Sequence, residues 1–178
     1  MSVIIWRMAQ ERGIRPTTPD AYLAALGDRL TADGCETDSA EWAGTRVLVG
    51  RRSDKKLSWF GTRVHLFTIA AAVPNVDVAI LSDFTGWAMS YAKQHKGRGL
   101  PVSYGNVITV FPVLVGGAVH PAAKEWARAD MRLMELAVAS RPVVVDTSTA
   151  EVALYRGKPL HGRMFVKHTL EKADLYFT

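Results

Sequence analysis

The chain has 178 residues, 48% of them hydrophobic and 22% charged, and a net charge of +5. That length suits one domain able to bury roughly 70% of its unfolded surface, and the composition excludes a disordered or fibrous chain. The single cysteine, Cys35, excludes an internal disulfide, and Arg63 and His65 interrupt the longest apolar run before it reaches the length of a membrane span.

Residues 1–16 read as a loosely attached arm ahead of a globular domain over residues 17–178. Their apolar run is too short for a secretory signal, so the expected location is cytoplasmic. Thr18 and Pro19 form a helix start, Tyr22, Leu23, Leu26 and Leu30 its apolar stripe, and Gly34 its end. Cys35 to Ala43 is polar and reads as a loop whose acidic neighbours offer no cation to activate the thiol. Thr45 to Arg52 alternates as a short strand, and Ser53 to Lys56 reads as a hairpin turn into a long apolar strand, Leu57 to Val73. Seventeen residues exceed the usual strand of roughly 5–6, so a bend is expected, with Gly61 its natural place. After Pro74, Asn75 is placed to cap a helix from Val76 to Lys96 with the stripe Ile80, Phe84, Trp87, Ala88 and Tyr91. Gly86 within it suggests a close approach to a neighbour, and Gly97 a left-handed cap.

Arg98 to Asn106 reads as a loop. Val107 to Val115 is apolar on both faces except for Thr109, which marks a strand covered on both sides, although Pro112 argues for an edge or a bulge. Gly116 and Gly117 end it, and His120-Pro121 opens a helix with the stripe Ala122, Trp126, Ala129, Leu133 and Leu136 or Ala137. Pro142 to Asp146 and Glu151 to Arg156 form a hairpin around Ser148. Val166, Leu170, Ala173 and Phe177 give a final helix. The expected class is α+β (mixed α/β), with one sheet of about five strands, helices against it, and the order α-β-β-α-β-α-β-β-α.

Charge is concentrated. Residues 51–100 hold eight Lys or Arg against three acids, an excess equal to that of the whole chain. If the long strand and the helix after it run antiparallel, Arg51, Arg52, Lys55 and Lys56 meet Lys93, Lys96 and Arg98 at one edge of the sheet, with Trp59 and Tyr104 as stacking or anchoring groups. The leading functional expectation is a non-enzymatic module that binds a protein partner through this basic edge. A nucleic acid at the same edge is the second reading. The third is a small enzyme in which His65, Arg63 and Asp146 or Glu151 form an acid-base site. Gly116-Gly117 before a helix resembles an anion-binding turn but lacks the remaining residues of a phosphate-binding motif. His95, His120, His161 and His168 show no zinc spacing, and no metal or cofactor is expected. Trp59, Trp87 and Trp126 fall on core stripes, whereas Trp6 and Trp42 lie outside them and are candidates for an interface with a partner or a second copy of the chain.

Overall fold

A computed structural model describes residues 18–96, 106–129, 132–135, 137–157 and 163–177. The arm over residues 1–16 lies outside them, as do Trp6, Arg98, Tyr104 and His161. Helix α1 (Pro19–Ala32) starts where the sequence marks it. The Thr18 hydroxyl accepts from the Ala21 N–H, and Gly34 leaves the helix at φ 80°. The segment read as a polar loop is instead strand β1 (Glu36–Trp42), paired antiparallel with β2 (Thr45–Lys55) through a two-residue turn at Ala43 and Gly44. Both turn residues have positive φ, 48° and 76°, the geometry that matches the twist of a tight hairpin. β1 is polar because it is an outer strand, where charged side chains discourage pairing with another chain.

The long strand is divided. Residues 57–59 form one turn of 3-10 helix, and β3 (Arg63–Ala72) follows, antiparallel to β2 from Val47↔Ala71 to Lys55↔Arg63. The hairpin turn therefore lies beyond Lys55, not at Ser53–Lys56. Asn75 does not cap the next helix. With Val76 it forms a short strand, β4, parallel to β6 (Ala118–Val119), and Asp77 caps α2 (Val78–His95) by accepting from the Ile80 N–H at 2.8 Å. Gly86 is exposed and a Cβ there would meet nothing within 4 Å, so no close approach explains it.

β5 (Asn106–Gly116) runs parallel to β3 on one side. On the other it pairs first with β8 (Val138–Ser140) and then with β9 (Val143–Asp146). Pro112 thus occupies a central strand, contrary to the edge or bulge expected of it. Ile108 N–H donates to Ala137 and Val110 C=O accepts from Arg141, so the peptide groups of even-numbered residues face β8 and β9. The donor that Pro112 lacks would face the Arg141-Pro142 break between those strands, where no ladder partner is required. Helix α3 (Pro121–Ala129) is shorter than its sequence stripe. The chain turns into strand β7 (Arg132–Glu135), and the buried positions are Ala123 and Ala127 rather than Ala122 and Ala129. The hairpin of β9 with β10 (Glu151–Leu154) and the last helix, α4 (Arg163–Phe177), follow as expected.

The result is a mixed sheet of eight strands, β1-β2-β3-β5 with β8-β7 and β9-β10 beyond β5, in the α+β class. One face, through Phe67, Ile69, Val110 and Leu114, packs on α2 and α3. The other, through Leu66, Ala70, Phe111 and Val113, packs on α1 and α4. Because β3 and β5 are parallel, α2 must run back across the sheet. Its C-terminus therefore comes to the end where β3 and β5 begin.

Candidate binding site at the basic end of the sheet

Strand geometry sorts the cations at this end. Successive side chains of β2 point to opposite faces, so Arg51 and Arg52 separate instead of adding to one patch. Arg51 bridges the Glu36 carboxylate at 2.6 Å and the His95 carbonyl at 3.0 Å, tying β2 to the end of α2. Arg52 turns to the other face, between Asp33 at 2.5 Å and Asp54 at 2.6 Å. Those two carboxylates also receive α4. His168 lies 2.9 Å from Asp54, Lys172 lies 2.7 Å from Asp33, and the Tyr176 hydroxyl donates to Asp33. Burial alone would raise the Asp54 carboxyl, but hydrogen bonds from His168 and Arg52 outweigh it and hold the group well below the usual carboxylate range. Asp33 is depressed in the same way by Lys172, Tyr176 and Arg52, while burial and the Asp33 contact drive the Tyr176 phenol far upward. Arg52 is thus a structural ion-pair partner.

The exposed charge lies further out. Lys55 and Arg63 form the last rung of the β2–β3 ladder, and both are exposed, as is Lys56. Lys93 and Lys96, both half-buried, arrive from the end of α2. Beyond the last rung the chain makes a tight turn, with Trp59 N–H donating to Lys56 C=O, Phe60 N–H to Leu57 C=O, and Thr62 N–H to Trp59 C=O. Phe60 and Gly61 have φ of 51° and 85°, so the bend expected at Gly61 is present, with a left-handed phenylalanine beside it.

Trp59, the expected anchor, is only 2% exposed. Its ring packs edge-on against Phe165 at 5.3 Å and His168 at 5.0 Å, so it serves the core and not a surface contact. With Trp59 turned inward, Leu57 and Phe60 are turned outward, at 102% and 90% exposure. The sequence did not mark these two residues because strand alternation groups Phe60 with Val64 and Leu66. The signal available was Gly61, directly after an aromatic pair.

The acid-base site is not assembled. His65 pairs across to Ile108 near the start of β5, and Asp146 to Gly116 at its end, about 26 Å away along the strand. His65 has its Nε2 3.3 Å from Asn106. Burial lowers its pKa against the pull of that hydrogen bond, and the cations Arg63, Arg51 and Lys96 lower it further. Asp146 lies 2.7 Å from Lys124, whose ammonium also meets Glu151 at 2.6 Å. Despite burial, Lys124 and Ser148 bring the Asp146 carboxyl down to about 2. Lys124 and Arg128 are thus engaged by carboxylates next to Gly116-Gly117, which does not suit an anion there. Gly116 has a packing reason instead, since a Cβ would sit 2.9 Å from Val76 Cγ2.

Two clefts flank β1, one of about 790 Å³ against α1 lined by Leu23, Asp38, Arg46 and Leu48, and one of about 230 Å³ lined by Arg51, Phe67, Tyr91 and His95. Neither contains His65 or Asp146 in its lining. Among the described residues no three His, Cys, Asp or Glu side chains gather to hold a metal ion, and no helix is long and apolar enough to cross a membrane. Trp42 packs edge-on against Phe84 at 4.9 Å and is half-buried. Comparison with protein families, with curated proteins and with solved structures found no match to this chain.

Proposed function

We propose that this chain is a non-enzymatic binding module that engages an acidic macromolecular surface through the basic end of its sheet. The observation that carries this reading is topological. The parallel pairing of β3 and β5 returns α2 to the β2–β3 turn, so Lys93 and Lys96 join the exposed Lys55, Lys56 and Arg63. Arg51 and Arg52 belong to the scaffold of that end, through Glu36, Asp33 and Asp54. A protein partner is what the charge pattern of the sequence suggests. A nucleic acid would meet the same cations, but the buried ring of Trp59 removes one of the two stacking groups expected there, the other being Tyr104, which lies outside the described residues.

The test is capture of partners on the immobilised chain, comparing the native protein with Lys55→Glu/Lys56→Glu/Arg63→Glu. Arg46→Glu, on an exposed residue at the opposite end of β2, is the control. Capture is expected to fall several-fold in the triple variant and to weaken with salt, with thermal stability kept. Capture equal to that of the native chain overturns the reading.

A further inference from the structure

The turn between β2 and β3 orders its side chains by depth. Lys55 and Arg63 close the ladder, Lys56 follows, and Leu57 and Phe60 stand beyond them. Three backbone hydrogen bonds and the inward packing of Trp59 hold the turn, so the outward position of Leu57 and Phe60 is built into the fold. Phe165, which packs on Trp59, neighbours Met164 in the first turn of α4. Among the described residues the exposed large hydrophobics are Leu57, Phe60, Met164 and Leu175, so three of the four belong to this turn and the helix start beside it. Leu57 and Phe60 are thus exposed beyond the last rung of the ladder, next to the exposed Lys55, Lys56 and Arg63.

We infer that the turn is a peripheral membrane anchor. Leu57 and Phe60 enter the acyl boundary of an anionic bilayer, and Lys55, Lys56 and Arg63 lie at its phosphate groups. Apolar groups outermost with cations behind them match the order in which a bilayer presents hydrocarbon and then headgroup charge, and those cations complement anionic lipid. A flat, deformable surface also accepts exposed apolar side chains on a turn without a preformed pocket. This rests on the reading of the basic end as a binding surface and assigns an anionic bilayer, in place of a protein, as what that end meets.

The test is co-sedimentation of the full chain with vesicles of phosphatidylcholine alone and of phosphatidylcholine mixed with phosphatidylglycerol. Binding is expected only to the mixed vesicles. Leu57→Ser/Phe60→Ser should weaken it about tenfold or more at unchanged charge, and Lys55→Glu/Lys56→Glu should abolish it. Both tip residues are exposed, so circular dichroism of the serine variant should match the native chain. A Phe60→Cys variant carrying an environment-sensitive dye reports insertion directly, because Cys35 is buried and escapes labelling. Its emission should shift to that of an apolar medium on mixed vesicles. Vesicle binding unchanged by the serine pair, or a dye that stays in water, overturns insertion. No vesicle binding at all, with charge-dependent protein capture intact, overturns the lipid assignment while the basic-end reading stands with a protein partner.

Discussion

Asp33 and Asp54 accept from residues far apart in sequence, Arg52 on β2 and His168, Lys172 and Tyr176 on α4, and both are held below the usual carboxylate range by those donors against the opposing effect of burial. A depressed folded-state pKa means that the unfolded chain binds protons first as pH falls. The stabilisation is therefore complete above the unfolded value near 4 and is lost as pH drops through the folded values below it. Asp54→Asn should destabilise the protein by about 2 kcal/mol at neutral pH, since His168 and the Nε and Nη2 donors of Arg52 lose a charged partner in a half-buried setting. It should also flatten the loss of stability below pH ~4. Urea denaturation of both proteins across that range checks this, and parallel curves for the two would refute it. None of this cluster was legible in the sequence. Its members lie on three elements, and adjacent Arg51 and Arg52 look alike until a strand sends them to opposite faces.

At the scale of elements, two glycines make opposite predictions. Gly86 sits exposed within α2 with nothing near its missing Cβ, so Gly86→Ala should stabilise by about 0.5–1 kcal/mol through backbone entropy. A Cβ at Gly116 would sit 2.9 Å from Val76 Cγ2 and 3.3 and 3.4 Å from the backbone oxygens of Ala118 and Val73, so Gly116→Ala should cost about 1–3 kcal/mol. Thermal unfolding of the two variants should move in opposite directions. A drop on Gly86→Ala would reveal a neighbour that the exposed helix face does not show. The elements that were legible are those with strong local signals: α1 with its Thr18-Pro19 start, apolar β5, and the β9–β10 hairpin. Those misread had their pattern set from outside. β1 is polar because it is an edge, β7 follows a helical stripe that stops at Ala129, and the 57–59 turn interrupts alternation that looks continuous.

The whole molecule is a sheet covered on both faces, and the second cover depends on chain that is distant in sequence. α1 and α4 share the face built from Leu66, Phe111, Val113 and Val143, and they are joined by the Lys172–Asp33 pair and by Arg29 donating to the Tyr176 carbonyl. The mixed class and its double cover could be anticipated from β5, apolar on both faces but for Thr109 between Val107 and Val115. Which helix lies on which face could not, because nothing local encodes that Phe177 meets Phe111 at 5.3 Å. The weight of α4 follows from what it buries. Val166, Tyr176 and Phe177 are each under 10% exposed and together contribute about 5–9 kcal/mol of apolar burial, comparable with the entire stability of an ordinary domain at about 5–15 kcal/mol. Truncation after Gly157 removes that burial, bares the apolar face of β3, β5 and β9, and leaves Asp33 and Asp54 without their α4 partners. The truncated chain should lose cooperative unfolding and bind a hydrophobic dye strongly while keeping much of its secondary structure. A truncated chain that melts cooperatively near the native temperature would mean that α1 alone suffices to cover this face.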